Sequence, residues 1–334
     1  MKKLLLITLI VLASISLWYK ASIRPVDKSS EARLAMKIEA GMSVQDIALM
    51  LSDRNIIRSP RAFSLYTKLH EKETALQAGK FVLRPSMSVA ELIEVLQDGK
   101  AEEMIITIPE GFTVKQIDTL LAEKGVMEEG EIMSCLVECD FSSFDFLPSG
   151  EGQVDRGGRL EGYLFPETYF VDIEEFVPKF FLERMMTTFR RRVIEAFPDK
   201  FPDPSHSLHQ IITMASLIEE EALTDEERPV VAGIMWKRFD AGRGLGVDAT
   251  VRYILNKPTG AITAGDLNTN SPYNTRKFKG LPPGPIASPG EVSIRAALFP
   301  EDSEYLYYLH GSDGQIHYAK TNEEHNLNKF EYIK

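Results

Sequence analysis

Basic residues are in short supply in this sequence: 38 Lys and Arg stand against 49 Asp and Glu, giving 334 residues a formal net charge of −11. A broad phosphate-binding surface needs clustered Lys and Arg, because counterion release drives that binding, so nucleic acid is excluded as a partner. Cysteine is scarcer still. Only Cys135 and Cys139 occur, and no other Cys or His completes a zinc or redox spacing, so no metal site and no cofactor are expected. No Cys follows the N-terminal apolar run, which excludes a lipoprotein anchor. The two cysteines lie one turn apart in a segment, Glu131 to Asp140, that reads as helix. Helical partners at that spacing sit near the geometric limit for a bridge, so the pair reads as two small buried hydrophobes rather than as a disulfide.

What is present is an ordinary globular composition, 44% hydrophobic and 26% charged, with length for two domains or one large one. Lys2 and Lys3 precede an uncharged, mostly apolar run from Leu4 to Tyr19, closed by Trp18, Tyr19 and Lys20. The run is a little shorter than the roughly 20 residues that span a bilayer comfortably, so an uncleaved anchor competes with a cleaved signal peptide. The anchor is the favoured reading: the aromatic pair suits a membrane interface and the lysines keep the N-terminus cytoplasmic. Ala21 to Arg33 is polar and reads as a tether.

From Leu34 to about residue 125 one pattern occurs three times: Gly41-Met42-Ser43-Val44-Gln45-Asp46-Ile47, Ser86-Met87-Ser88-Val89-Ala90-Glu91-Leu92 and Gly111-Phe112-Thr113-Val114-Lys115-Gln116-Ile117. Each is a turn, a hydroxyl cap and a helix start. The hydroxyl accepts from a free helical N–H, and the residue three positions on returns a capping box, most convincingly Glu91 and Gln116. Apolar strands, Phe81 to Leu83 and Ile105 to Ile108, enter the later two repeats. The small β-α units read equally well as a structural spacer or as a carbohydrate-binding module of the LysM kind. Residues 142–159 and Ala196 to Ser207 read as loops. Between them Val177, Phe181, Met185 and Phe189 mark an amphipathic helix whose Arg190, Arg191 and Arg192 read as a solvated face.

Gln210 to Ala222 reads as a helix, apolar until Glu219, Glu220 and Glu221 arrive together. On a helical wheel Glu220 falls opposite the apolar centre and faces water, while Glu219 and Glu221 fall on its two flanks, each roughly 80° away. The wheel does not choose between them. A carboxylate at such an edge is partly desolvated, which raises its pKa and suits general-acid work on a glycosidic bond; solvated charges at a helix end are the bland alternative. Further on, Leu160 to Tyr169, Val247 to Thr250, Ser271 to Thr275 and Gly280 to Gly290 look like loops built for close contact. Their Tyr and Asn suit sugar recognition, by stacking and by amide hydrogen bonds.

The segments Met214 to Ala222, Glu227-Arg228, Asp248 to Val251, Ser271 to Thr275 and Gly280 to Ile286, with Leu160 to Tyr169 and the late His325-Asn326 pair, resemble in type and order the endolytic murein transglycosylase (MltG, YceG-like) family. The resemblance covers nearly the whole chain. It implies an α+β fold made of a membrane anchor (1–20), a tether (21–33), a small LysM-like β-α module (34–105) and a mixed α/β catalytic domain (106–334). The family's catalytic carboxylate is the second of a Glu-x-Glu pair, here Glu221. Three departures stand out: Glu220 replaces a common Lys, Gly246 a Gln and Ala249 a Pro. The first adds like charge beside Glu221, which raises its pKa; the other two bear on contacts near Asp248.

The activity so implied is endolytic, non-hydrolytic cleavage of the β-1,4 bond between N-acetylmuramic acid and N-acetylglucosamine, trimming or terminating nascent strands. Glu221 is the expected acid and base, with Tyr273 and Asn274 positioning sugars and Ser271, Asp248 and Glu167 as weaker substrate-binding candidates. Expected partners are peptidoglycan glycan strands, the cytoplasmic membrane and peptidoglycan synthases, with the catalytic domain outside that membrane. Two alternatives are a non-catalytic peptidoglycan-binding scaffold and a lysozyme-like hydrolase pairing Glu221 with Asp248 or Glu219.

Overall fold

A computed structural model of the chain describes residues 2–30, 32–98, 104–149, 157–173, 175–201, 205–257 and 259–333. Parts of the two expected loops, 150–156 and 202–204, therefore lie outside the described residues, as does part of the junction at 99–103. The architecture is mixed α and β, with small two-stranded sheets and predominantly helical packing. Two compact units result. One comprises the chain up to Ile106 with the returning segments Leu121–Glu128 and Tyr169–Phe176, and the other the remainder.

In the first unit the N-terminal run forms a single helix, α1 (Lys2–Ser22). Among the described residues no helix is long and apolar enough to cross a membrane. Next come β1 (Leu34–Ile38), α2 (Val44–Asp53), α3 (Pro60–Leu69), β2 (Gly79–Leu83) and α4 (Val89–Asp98). β1 and β2 pair antiparallel, from Leu34 opposite Leu83 to Ile38 opposite Gly79. The strands and helices enclose Met36, Ile38, Leu51, Phe63, Phe81 and Leu92 in one apolar cluster. The caps behave as local chemistry dictates. Ser43 and Asp46 form a complete capping box on α2, and Ser88 and Glu91 exchange the same two bonds on α4.

β3 (Met104–Thr107) leads to α5 (Val114–Glu123), where Thr113 and Gln116 form the third box. α6 (Glu131–Glu138) carries the cysteines, and here the sequence reading is corrected: Cys135 and Cys139 form a disulfide. Within a continuous helix their Cα atoms would stand about 6 Å apart. The helix ends at Glu138, so Cys139 lies just past it (φ −88°, ψ 139°), and the two Cα atoms stand 4.8 Å apart.

β4 (Thr168–Val171) pairs with β3. The second unit continues through α7 (Pro178–Phe189), whose end tightens into a π-helical turn, Arg190–Ile194. Its arginines are ion-paired: Arg190 meets Asp145 at 3.2 Å and lies over the rings of Phe144 and Phe146. α8 (Leu208–Glu221), opened by a Ser207–Gln210 capping box, is the centre of the unit and is buried all round from Ile211 to Ile218. α9 (Arg228–Asp240), α10 (Asp248–Leu255) and α11 (Glu291–Leu298) pack on it. α9 and α11 are tied by Trp236, whose indole N–H donates to the Ala297 carbonyl at 2.9 Å. A hairpin of β5 (Tyr307–His310) and β6 (Ile316–Ala319), covered by α12 (Asn322–Tyr332), completes it.

Candidate active site

All residues of the site lie in the second unit. Because α8 ends at Glu221 while its preceding turns are enclosed, its three carboxylates emerge from a buried helix into three different surroundings. Glu219 is captured. One oxygen accepts from the Arg228 guanidinium at 2.9 Å and the other from the Gly290 backbone N–H at 2.8 Å. Arg228 is itself buried and also bonds Ser293 at 2.8 Å and Asp225. The charge of Glu219 is thus neutralised inside a network joining α8, α9 and the start of α11.

Among the described residues Glu221 forms no ion pair. Its Oε2 accepts from the Tyr308 hydroxyl at 2.9 Å, a bond spanning 87 residues of sequence. Burial pushes its carboxyl from 4.5 up to about 7; the Tyr308 bond and Arg276 pull it back, while Asp248 and Glu220 push further. A carboxyl so poised is available in both protonation states near neutral pH, as a group that first donates and then accepts a proton requires.

Glu220 is exposed, as the wheel predicts, but it faces a concavity. It lines a groove of about 250 Å³ with Gly111, Thr113, Lys115, Arg252 and Tyr253 among others. Partial desolvation, then the charge of Glu219, raise its carboxyl to about 7 as well, and Arg252 opposes them. Gly111 (φ +77°) is required twice, for its left-handed backbone and because a Cβ there would stand 3.0 Å from Glu220 Oε1.

Of the loop residues named from sequence, Asp248 acts on Glu221 electrostatically, and the others make bonds within the surrounding loops and turns. Asn274 is fully buried; its amide hydrogens go to the carbonyls of Leu267 and Thr269 at 3.0 and 2.8 Å, and its oxygen accepts from Arg276 N. Both amide hydrogens are thereby used within the loop, which Asn274 braces. Tyr273 is 6% exposed, its ring 5.3 Å from that of Tyr253, and it too packs inward. Ser271 closes the same turn, accepting from Tyr273 N at 3.3 Å. Asp248, the first residue of α10, is half exposed and ion-paired with Arg276. Glu167 joins the loop after Tyr163 to Arg192 at 2.9 Å and Arg191 at 3.9 Å, a brace well apart from the α8 terminus in its bonding.

Tyr308 went unread in the sequence, while His325 and Glu161 stood there only within family-like segments and without a role. Tyr308 sits in an aromatic stretch, Tyr305 to Tyr308, where period-two alternation cannot single it out. His325 of α12 stacks on neighbouring Tyr307 at 5.2 Å, and burial lowers its pKa. Glu161 is a buried carboxyl with no ion pair among the described residues: it accepts from Val114 N at 3.1 Å and from the Tyr253 hydroxyl at 3.2 Å, and burial raises it to about 8. It holds the α5 start and the Tyr253 ring on either side of the groove.

Against known proteins, a sequence profile described as the YceG-like family matches residues 36–331. The chain is 33% identical over 335 residues to a Bacillus subtilis (strain 168) protein named endolytic murein transglycosylase, covering 97% of this chain and 91% of that protein. A protein of the same name from Streptococcus pneumoniae (serotype 2, strain D39) is 28% identical over 340 residues, covering 93% of this chain and 60% of that longer protein. Among solved structures, the crystal structure of a yceG-like protein from Listeria monocytogenes is similar with a TM-score of 0.62 and 31% identity, over 89% of this chain and 99% of that one.

Proposed function

The chain belongs to the YceG-like family, and from that membership we propose that it is an endolytic lytic transglycosylase of murein, acting through Glu221. The observation that carries the assignment to this side chain is the contrast within α8: Glu219 is neutralised by Arg228, whereas Glu221 keeps a carboxyl at about 7 with a tyrosine hydroxyl on one oxygen only.

In the proposed reaction, protonated Glu221 gives its proton to the glycosidic oxygen as the bond to C1 of N-acetylmuramic acid breaks. The resulting carboxylate takes the proton from that sugar's C6 hydroxyl as O6 bonds to C1. No water is consumed, and a 1,6-anhydro end results. The substrate supplies the nucleophile, so one carboxylate suffices where hydrolytic glycosidases use two. Both carboxylates a hydrolase would recruit are engaged by arginines, Asp248 by Arg276 and Glu219 by Arg228. Mass spectrometry of products from uncrosslinked glycan strands tests the reading. Anhydro ends are expected; reducing ends would make the protein a hydrolase, and intact strands a scaffold.

Tyr308 is proposed as the positioning residue for Glu221. By donating to Oε2 it fixes the rotamer, leaves Oε1 for substrate and favours the ionised form. Asp248, Arg276, Glu220 and, through Tyr308, Arg238 complete the charges around the carboxyl. Turnover needs Glu221 protonated at the first step, so activity falls as pH rises through its pKa. In Tyr308→Phe that bond is lost and the pKa rises. The alkaline limb of the kcat profile is expected to move up by about one pH unit, from the worth of a hydrogen bond to a charged group. An unmoved limb would leave Tyr308 a packing residue.

The same reading places the catalytic unit outside the cytoplasmic membrane. It is held by the N-terminal helix, with the β1 to β2 module engaging glycan and peptidoglycan synthases as neighbours. Support for the anchor is the Leu4 to Tyr19 run flanked by Lys2, Lys3 and Lys20. The protein is expected to stay in salt-washed membranes; release by salt, with an N-terminus beyond residue 20, would show cleavage instead.

A further inference from the structure

The groove beside Glu220 gathers charges of both signs that are not locked into ion pairs among the described residues. Of its polar lining, Thr113 is spent on the α5 cap, the Tyr253 hydroxyl on Glu161, and Lys257 on the Ala261 carbonyl and Asp266. Lys115, Glu220 and the side chain of Asn256 make no hydrogen bond or ion pair among the described residues. Arg252 anchors one nitrogen on the Gly260 carbonyl at 3.0 Å and faces Glu220 electrostatically. Lys115, Glu220 and Asn256 are all exposed to solvent, and what marks the place is their convergence, with Arg252, on one concavity. Position adds to this. Glu220 directly precedes Glu221, and Ala249, which also lines the groove, directly follows Asp248, so the groove begins one residue from the proposed acid. At about 250 Å³ it lies just below the roughly 300–1,000 Å³ of drug-sized pockets, room for a short segment of polymer.

Charge of both signs selects among the parts of the substrate. The sugars of a murein strand are neutral once the lactyl group is in amide linkage: hydroxyls, acetamido groups and ethers. Only the peptide stems carry free carboxylates and, before crosslinking, a free amine. We propose that this groove is a subsite for the uncrosslinked peptide stem, with its carboxylates facing Lys115 and Arg252 and its amine or amide N–H facing Glu220. The inference rests on the transglycosylase reading and extends it: the enzyme reads the peptide as well as the glycan.

The test uses the full chain in detergent on two uncrosslinked substrates, stem-bearing strands and the same strands stripped by an amidase with the freed lactyl carboxylates converted to simple amides, so that only the stem differs. Wild-type kcat/KM is expected to be roughly three- to thirty-fold higher on stem-bearing strands, the range one or two semi-exposed charge-assisted bonds supply. Lys115→Ala and Glu220→Gln should each bring that ratio toward one, with the loss read in KM. A wild-type ratio of one, or a ratio that both variants leave unchanged, overturns the subsite. Anhydro ends from either strand keep the transglycosylase reading intact whatever the ratio. If neither strand yields them, that reading fails, and the groove is decided by binding of a labelled free stem peptide: weakening in Lys115→Ala supports it and equal binding overturns it.

Discussion

Glu221→Gln is expected to lower kcat for anhydro-product formation by about 10²–10⁴ with the fold intact, the usual worth of a general acid and base. The amide keeps the shape and can still accept from Tyr308, but it can neither give a proton to the leaving oxygen nor take one from C6. Stability offers an independent check with a definite sign. Glu221 has a folded-state pKa of about 7, above its ordinary 4.5. Its contribution is therefore fully present at acid pH and is lost as pH rises through that window. The neutral variant has no such loss, so its stability relative to wild type should increase between about pH 4.5 and 7. Urea midpoints at the two ends of this window measure it. Near-normal anhydro product from Glu221→Gln would move the chemistry off this residue, and an inactive protein with a collapsed urea midpoint would leave the role of the proton undecided between fold and chemistry. Glu220→Gln separates the cases, because it removes a neighbouring carboxyl of similar pKa at an exposed position and should keep kcat, any loss falling on KM.

What could be read from sequence follows the range of the interaction. The three capping boxes are contained within four residues each, so Ser43, Ser88 and Thr113 announced the starts of α2, α4 and α5 without any tertiary knowledge. The glutamate helix was legible as a helix for the same reason. Its tie between Glu219 and Glu221 was not, because a wheel gives direction but not company. Arg228 and Gly290 reach Glu219 from 9 and 71 residues away, and Tyr308 reaches Glu221 from 87. Residue type does not decide at Tyr273 and Asn274: both suit sugar recognition, and Asn274 is equally suited to pinning an irregular loop whose backbone carbonyls need donors. The disulfide escaped because Cys139 lies just past the end of α6, and the location of a helix end to ±1 residue is the least certain feature of any sequence reading.

The largest stability effect is expected at the partner of the rejected flank. Arg228 and Glu219 have side chains only 10% and 7% exposed, so removing either leaves a buried charge without its counterion. Breaking a buried pair this way costs about 3–5 kcal/mol, and Arg228→Ala should show it as a lowered urea midpoint with an unchanged m-value. Glu219→Gln is the sharper variant. It keeps an oxygen for the Gly290 N–H and a contact for the guanidinium, and Asp225 still faces Arg228, so part of the cost is avoided. Assayed where it remains folded, Glu219→Gln should retain the wild-type pH profile with its alkaline limb in place, since the titrating carboxyl is elsewhere. The two flanks of α8 are thereby told apart by opposite signatures: stability lost and pH profile kept at Glu219, stability kept and turnover lost at Glu221. A Glu219→Gln protein as stable as wild type but unable to form anhydro ends would reverse the assignment, putting the proton on the carboxylate that Arg228 holds and making the Tyr308 bond a structural one.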